Sequence, residues 1–364
     1  MSTRPADIPF LSSLSFMLTY RCSNSCPHCI VEAGPTRKKK MALGSVLGWI
    51  DDAAAYRRNK IRSISLTGGE PFYDLQTLAL ISDHACNAGL SVSVETNAAW
   101  APTLEQALST LQELPAIRTI IISSDVYHQQ FVPIENIHNA VIAAELLGLN
   151  YHIAVTTDNE KEEAYCSFRE CLERIVDPAR ISIAVTLPTG RARKLVRRLR
   201  QQTSPEPDTS ACMRASTPVI FPDGRVMACM GSMPTHPASD PLCLGNLRKE
   251  SLESVLERAE TNPMLHLLRL WGPHRMVTIL KSRGHGDILP KRYIRGCHCD
   301  ICTKLLSEKQ IAGRIAEILD EPKTRADIAF ARLYGLNEPE MAERFHIAPP
   351  GQPDPSENRL GPET

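Results

Sequence analysis

Long apolar runs are missing from this 364-residue sequence. None approaches the roughly 18 residues that a membrane-spanning helix requires, so no membrane partner is expected. Net charge is missing too: 41 Lys and Arg residues balance 41 Asp and Glu residues, leaving no global field to draw nucleic acid or an anionic bilayer. Residues 1–10 lack a basic start followed by an apolar core, and Pro5, Asp7 and Pro9 interrupt them, so they do not read as a signal peptide. No internal repeat is present. Cysteine, by contrast, is abundant, with 12 in the chain. Without export, these read as metal ligands plus a few buried thiols and not as a disulfide framework; the expected compartment is cytoplasmic.

The length allows a substantial core and two domains. Short β-branched apolar runs alternate with longer helical patterns, the rhythm of βα units and a parallel sheet. Strands are predicted at 13–19, 63–67, 91–95, 118–123, 151–156 and 181–186, with helices at 43–58, 75–89, 103–114, 134–147 and 161–176. Six strands and five intervening helices predict an α/β fold, a partial (β/α)6 barrel, with a sixth helix starting at about Ala192. In such barrels the chemistry gathers at the C-terminal strand ends. A polar, proline-bearing stretch then reads as a linker. Beyond it, a β-hairpin turning at Pro222-Asp223-Gly224 and helices at 252–260, 265–270 and 303–319 make up a small cysteine-rich α+β domain. The predicted organisation is an N-terminal extension (1–12), barrel core (13–200), linker (201–211), cysteine-rich domain (212–305), helical extension (306–347) and disordered tail (348–364).

Cys22, Cys26 and Cys29 follow the first strand in a C-x3-C-x2-C run. That spacing wraps a short loop around one metal cluster while supplying only three thiolates. A fully protein-held 4Fe–4S cluster takes four cysteines, so three leave one iron for an exogenous ligand. Cys26-x2-Cys29 alone would also fit zinc, and a zinc knuckle is the alternative. The run Cys22-Ser23-Asn24-Ser25-Cys26-Pro27-His28-Cys29 resembles the radical S-adenosylmethionine (SAM) enzymes, with His28 at the ring-bearing position before the third cysteine. The resemblance implies a SAM-chelating 4Fe–4S cluster and reductive cleavage of SAM to a 5′-deoxyadenosyl radical.

Thr67-Gly68-Gly69-Glu70-Pro71 closes the second strand and matches that family's Gly-Gly-Glu-Pro signature. Glycines let backbone approach a ligand closely, and a carboxylate there can pair with the ammonium group of SAM. The resemblance implies SAM-binding roles for His28, Gly68, Gly69, Glu70, Pro71, Asn97, Ser123, Asp125 and Arg191. Thr96-Asn97 closes the third strand, with Ala98 where relatives often carry glycine; Ser123-Ser124-Asp125 resembles the family's Ser-x-Asp. Gly190-Arg191-Ala192 resembles an element that would set Arg191 on an anion. Tyr127 and His128 offer a radical-relay or acid–base pair, against the alternative of two packed rings beside a capping Asp125. The basic residues between Arg191 and Arg200 either recognise an acidic peptide or phosphate or form a solvated face.

Cys212, Gly224 and Cys229 resemble the opening C-x9–15-G-x4-C of SPASM and Twitch auxiliary-cluster domains, continued by Leu244-Gly245-Asn246-Leu247. With Cys299 and Cys302 they form a four-cysteine set for one auxiliary 4Fe–4S cluster, in which Cys243 or Cys297 could substitute. A structural zinc site is the alternative. Cys86, Cys166 and Cys171 fall in helical segments and read as small buried apolar residues.

The resemblance implies a radical SAM enzyme, an oxidoreductase that abstracts hydrogen from its substrate. The expected substrate is a ribosomally made peptide receiving a crosslink, thioether or epimerisation. The alternative is dehydrogenation of a small molecule in natural-product biosynthesis, and a non-catalytic iron–sulfur scaffold or redox sensor is carried as a third reading. Implied partners are the substrate, a one-electron donor such as flavodoxin or ferredoxin, and a separate leader-peptide-binding protein.

Overall fold

A computed structural model describes residues 9–57, 60–231, 241–336 and 338. Its first half alternates strand and helix: β1 (Ser13–Thr19), α1 (Leu43–Ala55), β2 (Ser63–Gly68), α2 (Leu75–Asn87), β3 (Ser91–Thr96), α3 (Leu104–Gln112), β4 (Ile117–Ser123), α4 (Ile134–Leu146), β5 (Asn150–Thr157), α5 (Glu163–Glu173) and β6 (Ile181–Val185). The second half contains β7 (Thr203–Ser204), β8 (Val219–Ile220), β9 (Arg225–Met227), β10 (Cys243–Asn246), α6 (Leu252–Glu260), α7 (Pro263–Leu270), α8 (His274–Ser282), β11 (Tyr293–Ile294), α9 (His298–Leu306), α10 (Lys309–Asp320) and α11 (Pro322–Gly335). Strands β1 to β6 pair in sequence order, all parallel. Among the described residues the sheet stays open, because β6 pairs only with β5 and ends the order β10-β9-β8-β1-β2-β3-β4-β5-β6.

Burial explains why these segments are strands. Leu14, Phe16, Met17 and Leu18 of β1 and Ile64 and Leu66 of β2 are all buried. Near-continuous burial is the signature of parallel strands covered on both faces. Each such side chain contributes about 1.5–3 kcal/mol on burial. Helix starts are fixed by side-chain caps: Asp74 accepts from the Thr77 amide at 3.2 Å and Thr103 from the Gln106 amide at 3.2 Å.

The segment after residue 200 is joined to the barrel sheet. β8 lies parallel to β1, with Ser15 opposite Val219 and Phe16 opposite Ile220, and β9 and β10 continue antiparallel beyond it. The hairpin predicted around Pro222-Asp223-Gly224 is β8–β9. Residues 201–211 are strapped down: β7 pairs with β11, and Asp208 binds the Gly296 amide at 2.7 Å.

Three helix expectations differ from the structure. The sixth helix is absent; Gly190–Leu195 forms a 3-10 turn, since Gly190 sits at φ 56° and the Arg191 amide is committed to the Cys29 carbonyl at 3.1 Å. The single helix at 303–319 is two, broken at Glu308, which adopts an extended backbone. α8 was not anticipated, whereas α11 lies in the expected helical extension; α11 opens on Pro322 after an extended Glu321, the usual constraint on a residue before proline. α11 is held to α7 through Glu338, which ion-pairs with the fully buried Arg269 and accepts from Arg332 Nε at 2.7 Å. The disordered-tail expectation at 348–364 lies outside the described residues.

Candidate active site

The three-cysteine loop leaves the C-terminal end of β1 and folds back on itself. The Cys22 amide donates to Gly34 O (3.3 Å), Gly34 N to Tyr20 O (3.1 Å) and Cys29 N to Cys26 O (3.2 Å). Cys22 and Cys26 are buried and all three thiols are free. Two N–H groups point at Cys22 Sγ, the Asn24 amide at 3.4 Å and Asn97 Nδ2 at 3.5 Å. Burial pushes the Cys22 thiol up to about 12. A buried sulfur already supplied with donors is suited to carry a metal in place of its proton.

Arg191 clamps this loop from across the barrel. Its Nε donates to Cys26 O at 2.8 Å and its Nη1 to Ala33 O at 2.6 Å. The guanidinium predicted to sit on an anion is thus engaged with carbonyl groups of the cysteine loop. Gly190 makes the approach feasible: a Cβ there would lie 2.5 Å from both Cys29 O and Ile30 O. We predict that Gly190→Ala costs about 1–3 kcal/mol, the range for a non-glycine residue forced into a sparsely populated conformation. Chemical denaturation measures it, and an unchanged midpoint with unchanged iron loading at Cys22, Cys26 and Cys29 would refute the clamp.

The Gly-Gly-Glu-Pro turn packs against the same loop. A Cβ on Gly68 (φ 149°) would lie 2.5 Å from Thr19 O, and one on Gly69 would collide with the Arg21 carbonyl oxygen. Glu70 is buried and turned away from the open space. It accepts from Thr96 Oγ1 (2.8 Å), the Asn97 amide (2.8 Å) and the Phe72 amide (3.1 Å), so it ties β2 to the end of β3. Pro71 opens the short 3-10 turn that follows.

At the end of β4, Asp125 organises three rings. His128 Nδ1 lies 3.0 Å from Asp125 Oδ2 and His28 Nε2 lies 3.5 Å from it. His28 stacks on Tyr127 with centroids 4.6 Å apart and meets His128 edge-on at 4.9 Å. Burial disfavours a charge on either imidazole, but their fates diverge. At His128, Asp125 and the Cys26 sulfur together outweigh burial and lift it to about 10; at His28 burial prevails and the pKa falls to about 4. The close His28–Asp125 approach is therefore not an ion pair at neutral pH. The Tyr127 hydroxyl donates to Asp158 Oδ1 at 3.1 Å, and burial followed by Asp158 raises it to about 12.

These elements enclose a cavity of about 370 Å³ at the C-terminal end of the sheet. Of the residues singled out for SAM, His28, Gly68, Gly69, Asn97, Ser123 and Arg191 line it together, and His128 lines it as well. Glu70, Pro71, Asp125 and Tyr127 stand behind the wall. Two residues that sequence reasoning missed face the space. Glu95, accepting from Thr67 Oγ1 at 2.8 Å, presents a carboxylate, and Asn24 has a buried Nδ2 without a hydrogen-bond partner among the described residues. An acidic residue one position before Thr96-Asn97 at a barrel strand end was the available signal for Glu95.

Cys212, Cys229, Cys299 and Cys302 line a second, smaller cavity together; Cys243 and Cys297 do not. All are free thiols. Burial raises Cys299 to about 12, and burial also raises Cys302 well above the ordinary thiol value. Arg214, Gly231 and Cys299 line both cavities and so form the wall between them. Cys166 and Cys171, expected to be buried, are exposed, and Cys86 is half-buried.

A three-cysteine loop at the mouth of an open parallel α/β barrel is the arrangement of a radical SAM enzyme, and residues 16–141 match the profile of the radical SAM superfamily. This segment is a radical SAM domain, and the family implies SAM and a 4Fe–4S cluster. The chain is 22% identical over 311 residues to the putative peptide biosynthesis protein YydG of Bacillus subtilis (strain 168), an alignment covering 82% of this chain and 93% of that protein. Among solved structures it is similar to BtrN in complex with AdoMet and 2-DOIA (TM-score 0.39, 13% identity, 72% of this chain and 88% of that one). It is also similar to HydG, a maturase of the FeFe-hydrogenase (TM-score 0.39, 14% identity, 96% and 84%). Among the described residues no helix is long and apolar enough to cross a membrane.

Proposed function

We propose that this radical SAM enzyme modifies a peptide in the 370 Å³ cavity, and that Cys212, Cys229, Cys299 and Cys302 hold an auxiliary 4Fe–4S cluster in a Twitch-like segment. The observation that carries the reading is the shared wall. One cavity has the three-cysteine loop on one side and Cys299 of the four-cysteine set on the other. The likeness to a protein named for peptide biosynthesis supports the substrate class.

Cys22, Cys26 and Cys29 would hold the first cluster, with Asn24 and Asn97 donating toward the Cys22 sulfur. When bound, the cluster and SAM supply one-electron cleavage and hydrogen-atom abstraction. The chain's own residues bind, orient and exclude water. Glu95 offers the carboxylate that faces the cavity and suits the SAM ammonium group, while Glu70 fixes the strand end that carries Asn97. Asp125 keeps His128 protonated beside the cavity and packs His28 and Tyr127 into one aromatic layer. Four cysteines saturate the auxiliary cluster, which favours electron transfer over substrate ligation. A flavodoxin or ferredoxin supplies the electron, and a separate protein can supply leader-peptide binding.

The test is anaerobic incubation of the reconstituted chain with SAM, a reductant and a candidate peptide taken from any short reading frame found beside its gene. We expect 5′-deoxyadenosine release coupled to a changed peptide mass. Deoxyadenosine with an unaltered peptide, alongside oxidation of a small alcohol, replaces the peptide reading with dehydrogenation.

A further inference from the structure

Strand β6 ends the sheet, and its sequence Ile181-Ser182-Ile183-Ala184-Val185 contains none of the devices that guard an edge. It has no charge, no proline and no bulge. Natural sheets protect such edges, because a bare one pairs with any extended chain. Ser182, Ile183 and Ala184 are exposed, with Ile183 at 36%. The direction of the backbone groups follows from one hydrogen bond. Thr186 N–H reaches Thr157 O of β5 at 2.8 Å, so by alternation Ser182 and Ala184 turn their N–H and C=O groups toward β5. Ile183 and Val185 turn theirs to the open side. The same strand lines the 370 Å³ cavity.

The chain immediately after β6 is basic. Arg193 pairs with Glu32 at 3.3 Å, whereas the side chains of Lys194, Arg197, Arg198 and Arg200 are exposed and form no ion pair among the described residues. These four cations follow the bare edge in the chain, with one carboxylate, Asp158, on the Arg200 amide at 2.7 Å; their excess positive charge would repel a second copy of this chain and matches an acidic segment.

We propose that an acidic, extended peptide segment adds to the sheet as a strand on β6. Ile183 and Val185 hydrogen-bond its backbone, its acidic flank lies on Lys194, Arg197, Arg198 and Arg200, and its alternate side chains reach the cavity. Strand addition takes affinity from main-chain hydrogen bonds and specificity from alternate side chains, so it tolerates sequence variation at the other positions. The inference rests on the peptide reading above and specifies how the substrate is held.

The probe is a fluorescein-labelled octapeptide alternating Glu and Val, compared with its Lys–Val counterpart and with a version N-methylated at alternate residues. The full, iron-reconstituted chain is titrated by fluorescence anisotropy, and hydrogen–deuterium exchange is followed across residues 181–186. The Glu–Val peptide should bind and slow exchange in that segment. N-methylation should weaken binding at least about tenfold, as loss of two or more main-chain hydrogen bonds would. The triple variant K194E/R197E/R198E, on exposed side chains, should weaken it by a similar factor, and about 0.5 M salt should weaken the wild type. Ile183→Pro removes an edge-facing N–H and is tolerated at an edge; it should lose binding while keeping the wild-type melting temperature. Equal binding of the Lys–Val peptide, no slowed exchange at 181–186, or a free chain already dimerised through this edge would each overturn the proposal. Modification of the natural peptide at an undiminished rate by Ile183→Pro removes this docking mode and leaves peptide modification standing. Protection of β6 by the acidic probe, with only a small molecule modified, keeps the docking surface and removes the peptide-substrate reading.

Discussion

Anaerobic reconstitution of the wild-type chain is expected to load about eight irons, twice the content of one 4Fe–4S cluster. Replacing Cys22, Cys26 and Cys29 together with alanine should leave about four irons and abolish SAM cleavage entirely. The structure makes the two populations separable. The three-cysteine loop is held by β1, Gly34 and Arg191, whereas Cys212, Cys229, Cys299 and Cys302 are gathered by the 3-10 turn at Met213–Ser216, β9 and α9. Losing one set does not dismantle the other. Iron and zinc analysis of both proteins decides the matter. Loss of all iron in the triple variant, or stoichiometric zinc in the wild type, sinks the two-cluster assignment.

Replacing Glu70 should have the next largest effect, and through the structure that it holds at the cavity wall. Its carboxylate accepts from Thr96 Oγ1, Asn97 N and Phe72 N inside a buried site. Glu70→Ala strands these donors, at a cost of about 1–3 kcal/mol each, so a loss of about 3 kcal/mol or more is expected. Asn97 loses its anchor at the cavity wall, and SAM affinity should fall at least about tenfold. A pH signature separates this from a simple cavity. Burial raises Glu70 to about 7 from its ordinary 4.5, although the three donors oppose the shift. Between those values the folded chain holds a proton that the unfolded chain has released, so the favourable contribution of Glu70 declines as pH rises through them. The alanine variant should therefore be more destabilised at about pH 5 than at about pH 8. Equal destabilisation at both, with unchanged SAM affinity in a loaded protein, would refute this role.

Much of the barrel was legible because its strands are buried, β-branched and regularly spaced. β1 begins and ends at the predicted residues, and the other five barrel strands fall within one residue of prediction at each end. The three-cysteine loop and the Gly-Gly-Glu-Pro turn were legible for the same reason, since both sit directly at strand ends. Side-chain direction was not. Glu70 reads as a ligand residue in the sequence, yet its capping geometry turns it inward, and Glu95, which belongs to no motif in the sequence, lines the cavity. Arg191 reads as an anion site, yet loop carbonyls take its donors. Helix α8 was missed because its apolar periodicity is short and interrupted. Cys243 and Cys297 could not be ranked against the other four by spacing alone; only the three-dimensional grouping leaves them out of the second cavity.

The parallel pairing of β8 with β1 has a bearing on how the chain can be dissected. A protein cut after residue 200 would keep all six barrel strands and every residue of the three-cysteine loop. It would nevertheless uncover the outer side of β1, including the Ser15 amide that now donates to Pro218 O at 2.8 Å. That newly bare strand carries the cysteine loop at its end, so the truncated barrel would be sticky beside its own reactive centre. The two cysteine sets are thus not modules on a tether. β1, which leads into the three-cysteine loop, and β9, which leads to Cys229, belong to one hydrogen-bonded sheet, so strand spacing links the first set to one member of the second.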